Sequence, residues 1–85
     1  MKHKEDLQQI PGIGNNMERR LRRLGYTKVS DLKNQNPQEM YERDCELNKD
    51  QKVCRCVLYC YRLAVYFAEN EKHDPEKLKW GNWKD

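Results

Sequence analysis

At 85 residues, with 36% charged side chains and a mean hydropathy of -1.24, the chain has room for one domain with a small, concentrated core. A net charge of +3 permits a polyanionic partner without requiring one. The longest apolar stretch, Val53 to Ala68, is too short and, with Arg55 and Arg62, too charged to span a bilayer, and the charged opening Met1-Lys-His-Lys-Glu-Asp offers no secretory signal. A soluble, cytoplasmic protein with reduced cysteines is expected, without membrane or small-molecule partners.

In chain order, Lys4 to Gln9 reads as a helical turn or two, with Leu7 and Ile10 pointing inward. Ile10-Pro11-Gly12-Ile13-Gly14 then specifies a tight, buried, non-helical reversal, because two glycines follow a proline and apolar residues alternate between them. A second helix runs from Asn15 to Leu24, with Met17, Leu21 and Leu24 as its core stripe and Gly25 as the residue that ends it. The wheel places Asn15, Arg19, Arg22 and Arg23 on the outer side and Glu18 and Arg20 on the flanks. Five bases against one acid between Asn15 and Lys28 make this the most basic part of the chain.

Ser30 is expected to cap a short turn that carries Leu32. Asn36, Pro37 and Glu39 form a strong helix start, with Met40, Tyr41 and Cys45 directed inward. Asn48-Lys49-Asp50 then turns into a central helix over 51–69, with Asp50 as its N-cap. Fourteen of the 16 residues from Val53 to Ala68 are apolar, so this helix is the post around which the others gather. Val53, Val57, Cys60, Ala64 and Phe67 share one side, and Arg55, Tyr59, Arg62 and Tyr66 the opposite side. Asp74 and Pro75 start a last turn over 74–85 that delivers Leu78, Trp80 and Trp83 to the body.

From Leu7 to Leu24, LQQIPGIGNNMERRLRRL resembles a helix-hairpin-helix element. The whole chain, through DLQQIPGIG, DLKNQNPQEMYER, CVLY, AVYFA and the closing LKWGNWKD, is similar to the small bacterial pathogenicity-locus family of helix-hairpin-helix proteins. One departure is Gly81, where a second tryptophan is expected beside Trp80. The elements read in chain order make an all-α domain of five or six helices, and the resemblance implies that they form a tandem helix-hairpin-helix (SAM-like) arrangement. Its hairpin unit would cover 1–29, and a second, degenerate unit 30–69, with Leu47-Asn48-Lys49-Asp50 in place of the glycine hairpin. It also implies DNA as partner, held through the phosphate backbone without sequence preference. The ligands would lie along Gly12, Ile13, Gly14, Asn15 and Asn16, mainly as backbone amides. Asn15 stands where the family often has lysine, so charge must come from Arg19, Arg22 and Arg23. No cofactor is implied beyond an optional monovalent cation on the hairpin carbonyls.

The remaining signals have plainer readings. Arg55, Tyr59, Arg62 and Tyr66 could clasp nucleic acid, but are better read as the cover of the central helix, with the arginines paired to acids such as Glu42 or Asp44. Cys45, Cys54, Cys56 and Cys60 lack a paired CxxC and read as structural thiols rather than a metal site. His3 and His73 read as solvated. No catalytic motif occurs, so a non-enzyme is expected. A protein-interaction surface on Tyr59, Tyr66, Trp80 and Trp83 is the competing function, and a thiol sensor on Cys56 and Cys60 a third.

Overall fold

A computed structural model describes residues 6–49, 52–70 and 72–83. Among them are three α-helices, α1 (Asn15–Arg23), α2 (Pro37–Leu47) and α3 (Arg55–Glu69). Four short 3-10 turns accompany them, at Leu7–Gln9, Val29–Leu32, Pro75–Leu78 and Trp80–Trp83. The chain is all-helical as expected, but the five to six helices of the tandem arrangement are not there. The missing helices are 3-10 turns of three or four residues, each cut short locally. Ile10 is held extended (φ -72°, ψ 122°) before Pro11, which disfavours a helical predecessor. The turn at Val29–Leu32 gives way to an extended Lys33 (φ -62°, ψ 135°) and then Asn34, which takes φ 65°.

α1 ends as its glycine predicts. Gly25 adopts φ 100°, its amide donates to the Arg22 carbonyl (3.0 Å), and the amide of buried Tyr26 donates to the Leu21 carbonyl (2.9 Å), the paired bonds of a Schellman motif. Ser30, expected as a cap, lies inside its 3-10 turn. Asp31 takes that role, accepting from the amides of Thr27 (3.0 Å) and Lys28 (3.3 Å); the Thr27 amide bond is the main reason its carboxyl sits below the usual range. α2 starts as read, with the Asn36 side chain accepting from the amides of Gln38 (2.9 Å) and Glu39 (3.4 Å).

α3 begins at Arg55, later than the expected 51, and its cap is Cys54 rather than Asp50, which lies outside the described residues together with Lys4, Glu5 and His3. Val53 is buried, and its carbonyl accepts the Tyr41 hydroxyl (2.8 Å); this ties the preceding chain to α2 and out of the helix. Once formed, α3 is buried on most of its circumference. Val57, Leu58, Cys60, Tyr61, Leu63, Ala64, Val65 and Ala68 are all inside, and all but Leu58 join one apolar cluster with Leu7, Ile10, Ile13, Leu21, Leu32 and Met40. Removing these side chains from water is the main force holding the three helices together. No described helix is long and apolar enough to cross a membrane.

The C-terminal segment closes over the outer side of α3. Trp83 rests on Tyr66 (centroids 5.5 Å apart), its carbonyl accepts from Arg62 (2.6 Å), and its indole N–H donates to the Lys77 carbonyl (2.7 Å). Arg62 thus joins the C-terminal segment to α3, and its guanidinium also lies over the Tyr59 ring (5.6 Å to the centroid). His73 is half-buried rather than solvated: its ring stacks on Phe67 at 4.3 Å and its Nε2 lies 2.9 Å from the Phe67 carbonyl oxygen.

Candidate nucleic-acid interface

The segment Ile10–Asn16 is shaped by two opposed demands. Leu7, Ile10 and Ile13 are buried, so the chain between them must reverse while its apolar side chains stay in the core. It does so as a type II turn. Pro11 stands at the second position, Gly12 at the third with φ 85°, and the Ile13 amide donates back to the Ile10 carbonyl (3.0 Å). Gly12 and Gly14 are left on the outside.

Gly14 is the N-cap of α1, with φ -95° and ψ -168°, and no side chain caps the helix. The first amides of any helix lack intrahelical acceptors and carry the positive end of its dipole. Here no side chain accepts from them, a Cβ built on Gly14 meets nothing within 4 Å, and Asn15 and Asn16 are exposed. The Gln8 amide borders this helix start, donating to Asn15 Oδ1 (2.7 Å) and Glu18 Oε1 (2.8 Å). Glu18 is the acid nearest the helix start on α1, and its carboxylate also meets Arg22 at 3.4 Å.

The four arginines of α1 have separate fates. Arg19 is exposed and ion-pairs with no described residue. Arg22 makes only the long, exposed contact to Glu18, a kind of pair that contributes little. Arg23 donates to the neutral Asn48 Oδ1 at 3.3 Å and has no acid partner among the described residues. Arg20 turns inward, with one guanidinium nitrogen 3.0 and 2.9 Å from the two oxygens of Asp44. The predicted site residues Gly12, Gly14, Asn15, Asn16, Arg19, Arg22 and Arg23 therefore lie on the surface of one turn and one helix, while Ile13 is buried beneath it and serves as anchor.

Asp44 was missed as a key residue. It is 2% exposed and accepts from Arg20, from Asn48 Nδ2 (2.7 Å) and from the Tyr61 hydroxyl (2.5 Å). Burial, and then the bond to Asp44, push the Tyr61 hydroxyl far above the usual tyrosine range, so it stays a neutral donor. This network ties α1, α2 and α3 at one point and fixes the angle at which α1 presents its outer arginines. The signal was available: Asp44 follows Met40 by four residues, so it shares the core face of α2. Beside the network, Arg23, Arg43 and Lys49 line an open cleft with Leu24, Glu46 and Leu47, and the basic surface continues past the end of α1. Arg43 holds that corner by donating to the Leu24 carbonyl (2.7 Å) and the Tyr26 hydroxyl (3.2 Å).

Fold and surface together define a small all-helical protein that presents an uncapped, glycine-preceded helix start beside an arginine face. The profile of the pathogenicity locus family (Cdd1) matches residues 1–85, so the chain belongs to that family. No curated protein and no solved structure matches it.

Proposed function

We propose that Ile10–Asn16 is the hairpin of a helix-hairpin-helix element, in which a 3-10 turn stands for the first helix, and that the protein binds the DNA backbone without reading sequence. The uncapped start of α1 carries this reading: open space above Gly14 leaves room for a phosphate oxygen to approach the amides of Gly14, Asn15 and Asn16. Arg19, Arg22 and Arg23 supply charge that displaces counterions, and contacts of this kind position a duplex without specifying bases. The role is binding rather than catalysis. A monovalent cation on the turn carbonyls would add to it but is not required.

Titration of labelled duplex DNA tests the reading. If the three arginines each neutralise a phosphate, affinity falls roughly 40-fold between about 50 and 200 mM salt. Arg19→Glu with Arg22→Glu removes binding while the helical circular dichroism is unchanged. Binding that ignores salt, or none at all, would favour the competing protein-interaction reading. Of the aromatics that reading uses, Tyr66 and Trp83 pack against one another and Tyr59 lies under the Arg62 guanidinium, so all three are half-buried.

A further inference from the structure

Helix starts in proteins are normally capped by Ser, Thr, Asp or Asn, whose oxygen accepts an amide hydrogen bond. α3 has a thiol there instead. Cys54 is exposed, in extended conformation (φ -64°, ψ 139°), and its sulfur accepts from the Cys56 amide at 3.3 Å. A neutral thiol is a weak acceptor, whereas a thiolate is a strong one.

A second thiol lies two residues on. Cys56, separated from Cys54 by Arg55 alone, is half-buried on the first turn of α3, and its amide is the one 3.3 Å from the Cys54 sulfur. The neighbouring Cys56 side chain, and then the Cys56 amide, lower the Cys54 thiol below its ordinary value; the Cys54 side chain, and then burial, raise Cys56. Among the described residues, the other titratable groups within electrostatic reach are Tyr41 and Cys60 for Cys54, and Arg20 and Cys60 for Cys56, with Arg55 between the two cysteines in sequence. Cys60, one turn beyond Cys56, is buried and pushed up to about 11, so it is poorly placed to attack. The described residues hold no cluster able to bind a metal ion, so the pair does not belong to a metal site made from them.

We propose that Cys54 and Cys56 form a redox-active dithiol, with Cys54 the nucleophile toward a hydroperoxide and Cys56 the resolving thiol. The Cys54 thiolate sulfur attacks one peroxide oxygen and the O–O bond breaks. Cys54 becomes a sulfenic acid, and the departing hydroxide takes up a proton to leave as water. Oxidation of Cys54 removes the neighbouring thiolate, the influence that most strongly holds the proton on Cys56. Cys56 then loses that proton and attacks the Cys54 sulfur. The S–S bond forms as the S–O bond breaks, and hydroxide leaves with the proton as the second water. Two thiols and one hydrogen peroxide give one disulfide and two waters, with two electrons passing from sulfur to oxygen.

The test uses the full reduced chain. One equivalent of hydrogen peroxide should lower the intact mass by two hydrogens. Trypsin, cutting after Lys52, Arg55 and Arg62, should then release Val53–Arg55 disulfide-linked to Cys56–Arg62. The link should survive Cys60→Ala and vanish in Cys56→Ser, in which a sulfenic acid on Cys54 should be trapped by dimedone. Iodoacetamide near neutral pH should label Cys54 at least about a hundredfold faster than Cys60, and faster in the folded chain than in urea. The proposal is overturned by a link that depends on Cys60 and not Cys56, by a link to Cys45, or by no link at all. It is equally overturned if Cys54 reacts no faster folded than unfolded.

Discussion

The starts of α1 and α2 solve the same problem in opposite ways. α2 is closed by Asn36, whose side chain satisfies two amides, and by Pro37, which has no amide to satisfy. α1 has Gly14 at the same position, and no side chain accepts from its first amides. α3 lies between them, capped by a sulfur. A helix that only has to be stable is expected to resemble α2. Where the oxygen cap is withheld, the helix start keeps its capacity to receive an anion at α1, or to hold a thiolate at α3.

The largest perturbation of this comparison acts on the frame that holds the two starts together. Asp44→Ala leaves Tyr61 and Asn48 without their shared acceptor and Arg20 without its counter-charge. It should cost about 3 kcal/mol, the low end for breaking a buried pair because Arg20 can regain some water, and should appear as an earlier urea midpoint. Next is Asn36→Ala, which makes α2 resemble α1 at its start. A loss of about 1 kcal/mol in the same melt is expected, with no change in DNA affinity.

Alkaline pH perturbs the core rather than the helix starts. The buried Cys60 thiol ionises near 11 in the folded chain and at an ordinary 9.0 when unfolded, so the unfolded state loses its proton first. The stability due to the neutral buried thiol is therefore fully present below about pH 9 and is lost as pH rises through about 11; Cys60→Ala should lessen the decline in urea midpoints measured across the range, and the part that persists belongs to the buried Tyr61 hydroxyl, which is also held above its ordinary value. The smallest effect is expected for Cys54→Ser, which restores an oxygen cap to α3 and should hold or raise the melting temperature while removing the thiol.

Periodicity and local chemistry are the features most legible in the sequence. The Asn36–Pro37 start, the Gly25 stop and the apolar mass of α3 each depend on near neighbours, and each stands in the structure. So does the tight reversal at Pro11–Gly12, a type II turn whose glycines are exposed rather than buried as read, and which fixes the outer face of the candidate site. Features set by distant partners are not legible in this way. Val53 is kept out of α3 by a hydroxyl twelve residues earlier, and Arg20 is separated from its neighbours on α1 by an acid on α2. The surplus helices are the short turns at Leu7–Gln9, Val29–Leu32, Pro75–Leu78 and Trp80–Trp83, whose helical signals are real but whose three or four residues stop at a 3-10 turn.

The uncapped start of α1 is either a ligand site or a place where an oxygen cap is merely absent. Gly14→Asp decides between these, because the backbone there is already in the extended region that a capping aspartate uses and its Cβ meets no neighbour. The measurement is the DNA affinity of this variant beside its urea stability. A fall of about tenfold or more in affinity, with stability held or raised by a few tenths of a kcal/mol, is the predicted result. An equally stable variant that binds DNA as tightly as the parent chain would contradict it.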